Sequence, residues 1–108
     1  MEVRAELEMI VERGAPNVLW LVGELDFAAV ALVSERLAQL DGDVAVDCSR
    51  LDFIDAAGLR ALLTAHGIRA ARGSKLVVVR PSRQVRRVLE LTSLDAVLLN
   101  GRCNGSAP

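Results

Sequence analysis

Few residues of this chain have side chains that could perform chemistry, and they are scattered along it. The 108 residues include two cysteines, Cys48 and Cys103, and a single histidine, His66, with no C-x-x-C pair. Metal sites need clustered ligands, and a catalytic nucleophile needs a base beside it. The sequence therefore predicts no metal site, no cofactor and no catalytic residue, and we expect the protein not to be an enzyme.

The two cysteines leave two interpretations open. Cys48 ends a short apolar run, which favours a buried side chain that behaves as a small apolar residue, with Cys103 a free thiol near the chain end. The alternative is a redox role, in which a regulatory disulfide ties Cys103 to Cys48. A melting temperature that depends on reductant would distinguish the second interpretation from the first.

The most distinctive local pattern joins an acid to three residues with almost no side chain, at a strand-to-helix junction. Asp55 is placed to cap the helix, where free backbone amides carry partial positive charge. In open α/β sheets this edge is where ligands and partners dock, and small residues let another molecule approach the backbone. We expect a partner-binding surface that consists of Asp26, Asp55, Ala56, Ala57, Gly58 and Leu59.

The elements before this junction are two strands and a helix. Residues 3–12 and 17–25 are strand-like runs separated by a turn-rich break, which predicts a hairpin. Both alternating sets of the second run are apolar, so we expect it to be covered on both faces, with Trp20 in the core. Apolar residues at helical spacing between Phe27 and Leu40 predict a helix with Phe27 on its inner face, capped by Asp26.

The second half of the chain continues to alternate strands and helices. Residues 44–48 and 75–80 are predicted strands, and residues 94–99 a last strand or a half-turn. A second helix ends near Arg72 and has an apolar face of Leu59, Leu62, Leu63, His66 and Ala70, and a third is capped by Ser82. We therefore predict a single α/β domain over residues 1–100, with helices packed on a mixed sheet of four to five strands, and a flexible tail over residues 101–108.

Composition and charge narrow the classes of protein that remain. The chain is 52% hydrophobic and 25% charged, which excludes a disordered chain, and 3% aromatic, which predicts an aliphatic core. No apolar run reaches the roughly 18 residues of a membrane span, and the first residues are charged, so we expect a cytoplasmic protein without membrane contact.

The net charge of -1 conceals two halves of opposite sign. Residues 1–55 contain 12 acids and 4 bases, and residues 56–108 contain 2 acids and 9 bases. The basic half, with Arg83, Arg86 and Arg87 predicted to point outward from the third helix, raises the alternative of a nucleic-acid-binding module. Solvated helix faces are favoured over that alternative, because no aromatic residues interleave with the bases.

The segment of residues 44–63, "VAVDCSRLDFIDAAGLRALL", resembles the signature of the STAS domain as found in anti-sigma factor antagonists. Asp47, Ser49, Phe53, Ile54, Asp55, Gly58 and Leu59 match that signature, and "GELD" at residues 23–26 matches the pattern before the family's first helix. The order of elements agrees over nearly the whole chain, although the family's longer carboxyl-terminal helix is reduced to a tail here.

The resemblance implies a function. Family members of this type bind a kinase-like anti-sigma factor of the GHKL type and so free a sigma factor, and phosphorylation of the serine after the aspartate abolishes binding. Ala56 occupies that position here and has no hydroxyl, so the charge of roughly -2 that a phosphate adds cannot be installed. Ser49 and Thr64 stay open as other acceptors, although Ser49 is better placed to bond the nearby backbone and Thr64 to lie on a helix surface.

Two other partners are compatible with the same resemblance. Single-domain STAS proteins also bind the ATPase of lipid-transport ABC complexes, and others join stress-signalling scaffolds. The sequence does not separate these from an anti-sigma partner, and it leaves the oligomeric state open.

Overall fold

The strands form one four-stranded mixed sheet. The computed structural model describes residues 6–100, in which β1 (Leu7–Glu12), β2 (Asn17–Leu25), β3 (Val44–Ile54) and β4 (Leu76–Val79) lie side by side in sequence order. β1 is antiparallel to β2, whereas β2, β3 and β4 are parallel. The α/β class and the mixed sheet are confirmed. The start of the first predicted strand and the predicted tail over residues 101–108 lie outside the described residues.

Four α-helices accompany the sheet in residues 6–100. A 3-10 turn (Phe27–Ala29) leads into α1 (Val30–Ala38), α2 (Ala56–Ala71) joins β3 to β4, and α3 (Arg83–Leu91) and α4 (Asp95–Asn100) follow β4. Because both parallel crossovers advance in the same direction across the sheet, right-handed connections place α1 and α2 on the same face. In residues 6–100, no helix combines the length and the apolar character needed to cross a lipid bilayer.

The core lies between that face and the helices, and it is aliphatic as predicted. Leu19, Leu21 and Leu25 of β2 are fully buried beneath Val33 of α1 and Leu62 of α2. The same cluster also includes Val85, Leu89 and Leu98. α3 begins with the predicted cap, because the Oγ of Ser82 accepts a hydrogen bond from the amide of Val85 at 3.2 Å.

The opposite face of the sheet carries no helix in the described part of the chain. Along β2, the half-buried Val18, Trp20 and Val22 alternate with the fully buried leucines. The prediction that this strand is covered on both faces, with Trp20 in the core, is therefore wrong for residues 6–100. Instead, the guanidinium of Arg80 lies 5.8 Å from the centre of the Trp20 ring, over its face.

Two predicted elements differ from the observed ones. β3 continues to Ile54 instead of ending at Cys48, and it stays paired with β2 through two irregularities in the register. The apolar run over residues 94–99 forms part of α4, not a strand or a half-turn, and Leu98 is fully buried there. Strand pairing extends β3, and the burial of Leu98 accompanies α4. A short apolar run in the sequence reveals neither the pairing nor the burial.

A buried arginine on α2 holds the end of α1. Arg69 donates from Nη2 to the carbonyl oxygens of Leu37, at 2.7 Å, and Leu40, and from Nε to that of Gly42 at 3.2 Å. These carbonyls lie at the carboxyl end of α1, where partial negative charge favours a cation.

Two residues predicted on the inner face of α2 have different outcomes. Ala70 is exposed instead of buried. His66 is buried, with Nδ1 3.3 Å from the carbonyl oxygen of Leu76.

Candidate functional site

The residues predicted to bind a partner lie where β2 and β3 end side by side. Leu25 and Ile54, the last residues of the two strands, are paired in the sheet. The 3-10 turn after β2 and the first turn of α2 after β3 are therefore neighbours. This position is the carboxyl edge of parallel strands, as the sequence predicted.

Asp55 fastens these two turns together. Its Oδ1 accepts from the amide of Gly58 at 2.8 Å, which caps α2, and its Oδ2 accepts from the amide of Phe27 at 3.1 Å. Asp26 caps the 3-10 turn in the same way, because its Oδ1 accepts from the amide of Ala28 at 3.1 Å. Both predicted caps are observed. With both oxygens hydrogen-bonded, the carboxylate of Asp55 sets the relative position of the two segments.

The four residues after Asp55 divide into a surface pair and an inner pair. Ala56 is exposed and Ala57 is half-buried, whereas Gly58 and Leu59 are buried. Gly58 faces β2 so closely that a Cβ there would lie 2.3 Å from the carbonyl oxygen of Leu25. The predicted surface is thus smaller than its six residues, since Gly58 and Leu59 support the turn from below.

Two phenylalanines that sequence reasoning did not assign to the site lie beside it. Phe27 is 66% exposed and Phe53 is 48% exposed. The prediction that Phe27 packs inside is wrong, because the 3-10 turn breaks the helical spacing that links it to Val30 and Leu37. The available signal was their position: both phenylalanines of this aromatic-poor chain are within three residues of a cap, Asp26 or Asp55.

Phe27, Phe53 and Ala56, with the hydrogen-bonded Asp26 and Asp55 between them, are called the docking surface below. Large exposed aromatic side chains around a small residue are typical of protein interfaces, in which such side chains act as anchors. Arg60, one turn after Ala56, and Asp52, next to Phe53, are both exposed and add charges of opposite sign around the anchors.

The remaining residues considered for a chemical or binding role lie away from this surface. The amide and the hydroxyl of Ser49 donate to Oδ1 of Asp47 at 2.9 Å and 2.6 Å. Thr64 is exposed on α2, and Arg83, Arg86 and Arg87 are exposed on α3. Within residues 6–100, no group of three or more His, Cys, Asp or Glu side chains could hold a metal ion.

Cys48 is fully buried, and burial, with a smaller contribution from Asp47, raises the pKa of its thiol to about 12. The raised pKa in the folded state means that the neutral thiol stabilises the fold below about pH 9, an effect that is lost as the pH rises towards 12. Cys103, the other half of the predicted disulfide, lies outside the described residues. The burial of Cys48 supports its interpretation as a packed apolar side chain.

A labelling experiment tests this environment. In a Cys103→Ser variant at pH 8, we expect Cys48 to react with a thiol reagent at least about 100-fold more slowly in the native protein than in denaturant, because the side chain is buried and the thiolate is the reactive form. Mass spectrometry of the native and unfolded samples measures both rates. Rapid modification of the native protein would contradict the buried, neutral thiol.

Comparison with known proteins gives a family and a fold. The STAS family model described as "Mlab, STAS domain" matches residues 9–100. Among solved structures, an anti-sigma factor antagonist from Mycobacterium paratuberculosis is 22% identical, with 85% of this chain and 82% of that chain covered and a TM-score of 0.73. A putative anti-sigma factor antagonist from Thermotoga maritima is 21% identical, with coverage of 84% and 83% and a TM-score of 0.72.

The same fold also occurs in a different setting. A sulfate transporter family protein from Wolinella succinogenes is 19% identical, with 79% of this chain and 72% of that chain covered and a TM-score of 0.66. A search of curated proteins found no match. The match over residues 9–100, together with the strand order and the capped turn at Asp55, shows that this chain belongs to the STAS domain family.

Proposed function

We propose that this protein is a non-catalytic regulator that binds a kinase-like anti-sigma factor of the GHKL type through the docking surface and thereby releases a sigma factor in the cytoplasm. The folds of the anti-sigma factor antagonists described above support this assignment. The observation that carries it is Ala56, exposed on the first turn of α2 beside a capping aspartate whose two oxygens are already hydrogen-bonded.

Position 56 also determines the mode of regulation in this proposal. The resemblance implies that, in antagonists with a serine at this position, a phosphate adds a charge of roughly -2 beside the capping aspartate and abolishes binding. Ala56 has no hydroxyl, so this protein binds without phosphorylation control at that position. Three other routes of control stay open: another phosphosite such as Ser49 or the exposed Thr64, redox chemistry of the cysteines, and the amount of the protein.

A second candidate keeps the docking surface and changes the partner to the ATPase of a lipid-transport ABC complex. One observation favours it as an alternative: the matching family model is described as "Mlab, STAS domain". Both candidates predict an apolar contact around Phe27 and Phe53, so the identity of the captured protein separates them.

Affinity capture from the native cell tests the partner class. Wild-type protein and an Ala56→Asp variant serve as matched baits, and only a protein lost with the variant counts as a specific partner. A GHKL-type protein supports the first candidate, and an ABC ATPase supports the second. In a reconstitution with the captured GHKL protein and its sigma factor, added wild-type protein should release the sigma factor. Failure to release it would contradict the proposal.

The two exposed phenylalanines should act as anchors in the complex. We expect Phe27→Ala and Phe53→Ala each to weaken binding to the captured partner by roughly 10- to 100-fold, the usual effect of truncating an aromatic hot spot. Both side chains are exposed, so the melting temperature should change little. Isothermal titration calorimetry measures the affinity, and Leu91→Ala, at a 75% exposed position on α3, is the control that should bind normally.

A further inference from the structure

The space between α1 and α2 is a groove with a volume of about 350 Å³. The two helices lie side by side on one face of the sheet, and the residues that line the groove extend along α2 from Ala61 to Arg72, about 16 Å of helix. Small-molecule sites have volumes from about 300 Å³, so the groove has room for a short, linear ligand. We propose that this space, called the helix groove below, binds a linear alkyl carboxylate, with the carboxylate between Arg69 and Arg72.

Away from the two arginines, the helix groove is lined by small side chains. Ala38 of α1 and Ala61 and Ala65 of α2 are among them. None of these side chains is large enough to close the gap between the helices, and Ile68, which also lines the groove, is 48% exposed. An alkyl chain laid along the groove would cover this apolar surface and be removed from water itself, which favours binding.

Arg69 offers an unused hydrogen-bond donor to the helix groove. The residue is only 7% exposed, and its Nε and Nη2 donate to carbonyl oxygens at the end of α1. Its Nη1 forms no hydrogen bond within the described part of the chain. Because residues 6–100 include no buried side-chain nitrogen without a partner, Nη1 is accessible, and the helix groove is the space that Arg69 lines. A guanidinium with a free donor is suited to bind a carboxylate.

This end of the helix groove also has an excess of positive charge. Arg72 is exposed and lines the groove together with Arg69 and Asp41. Burial lowers the pKa of Arg69 from its ordinary value, and the charge of Arg72 lowers it further, by more than the carboxylate of Asp41 raises it. The two arginines therefore repel each other, and Asp41 does not cancel the repulsion. A bound carboxylate would relieve it.

The carboxyl ends of α1 and α2 lie at the same end of the helix groove, but their last carbonyls are already engaged. Arg69 binds those of α1. At the end of α2, the amides of Gly73 and Ser74 donate to the carbonyl oxygens of Ala70 and Arg69 at 3.1 Å and 2.9 Å. These hydrogen bonds offset the partial negative charge that a free helix end would direct at an anion.

The helix groove is separate from the docking surface. Ala56 and Arg69 lie about 20 Å apart along α2, so a ligand here leaves the first turn of the helix free. For a ligand with few atoms in an open groove, we expect a dissociation constant on the order of 100 μM.

Titration of the isotope-labelled full chain with octanoate, followed by nuclear magnetic resonance, tests the proposal. We expect saturable shifts of the Nε signal of Arg69 and of amides in residues 34–42 and 61–74. Octylammonium has the same chain with the opposite charge, and acetate has the same charge without the chain. Each should bind at least about tenfold more weakly than octanoate, because the site needs both the carboxylate and the apolar chain.

Two exposed positions provide variants that leave the core unchanged. Arg72→Ala removes one of the two cations and should weaken octanoate binding at least about fivefold. Ala38→Phe places a large side chain in the apolar part of the helix groove and should weaken it at least about tenfold. Arg69 is left in place because its replacement would also release the end of α1. Arg87→Ala, which removes an exposed arginine of α3 outside the groove, is the control and should bind octanoate like the wild type.

The absence of saturable shifts overturns the proposal, as does equal binding of octanoate and octylammonium, which would indicate a non-specific apolar contact. Shifts confined to the residues around Phe27 and Phe53 would place the ligand on the docking surface and also overturn it. The same holds if octanoate affinity is unchanged in Arg72→Ala or in Ala38→Phe.

Discussion

Ala56→Asp is expected to abolish binding to the captured partner while the fold stays intact. An aspartate in the first turn of α2 interacts favourably with the helix dipole, so the free energy of unfolding should stay equal or rise by about 0.5 kcal/mol. In the complex the same carboxylate is desolvated against the partner, next to the carboxylate of Asp55. An unpaired charge at an interface costs several kcal/mol, so we expect affinity to fall by at least about 100-fold.

Calorimetric titration with the captured partner measures this loss, and thermal unfolding checks the fold. Thr64→Asp introduces the same carboxylate at an exposed position of α2 about 12 Å further along the helix. This matched control should bind like the wild type. Equal affinity of wild type and Ala56→Asp would move the interface away from the first turn of α2, and equal losses in both variants would indicate a general charge effect.

Gly58→Ala is expected to destabilise the protein strongly. The added Cβ would lie 2.3 Å from the carbonyl oxygen of Leu25 and 2.8 Å from its Cγ, so α2 and β2 must separate. The same carbonyl accepts the amide of Asp55 at 3.2 Å, so separation would also loosen the link between the two turns of the docking surface. We expect a loss of about 3 kcal/mol in the free energy of unfolding, a fall of roughly 15 °C in melting temperature.

The same helix offers a matched control for this substitution. Gly67 is exposed, and a Cβ there would meet nothing within 4 Å. Gly67→Ala should therefore stabilise the protein by up to about 1 kcal/mol, because alanine loses less backbone entropy in a helix than glycine does. Chemical denaturation of both variants measures the difference. A Gly58→Ala protein as stable as the wild type would mean that α2 does not pack this closely on β2.

The sequence predicted the features that depend on neighbours in the chain. The caps at Asp26, Asp55 and Ser82 follow from residue types at helix starts, and all three are observed. The alternation of strands and helices after an initial hairpin was enough to predict the mixed sheet. These features depend on local hydrogen bonds and on the period of apolar residues, which can be read without the fold.

The wrong or missing predictions concern residues whose burial or exposure depends on contacts between segments that are distant in the sequence. The apolar pattern of β2 did not reveal that helices cover only one of its faces, which leaves Trp20 half-buried beneath Arg80. The exposure of Phe27 depends on a short 3-10 turn tied to Asp55, which is 28 residues away. The burial of Arg69 depends on the end of α1, a different helix. None of these contacts has a periodic signal in the sequence.

The central claim is that a partner covers the first turn of α2 together with Phe27 and Phe53. Hydrogen–deuterium exchange tests this claim most directly. It compares the amide exchange rates of the free protein with those of the protein bound to the partner recovered by capture. We expect slower exchange on binding in peptides that contain residues 26–29 and 53–60, with little change in α3. Unchanged exchange in those two segments, with protection elsewhere in a saturated complex, would contradict the account.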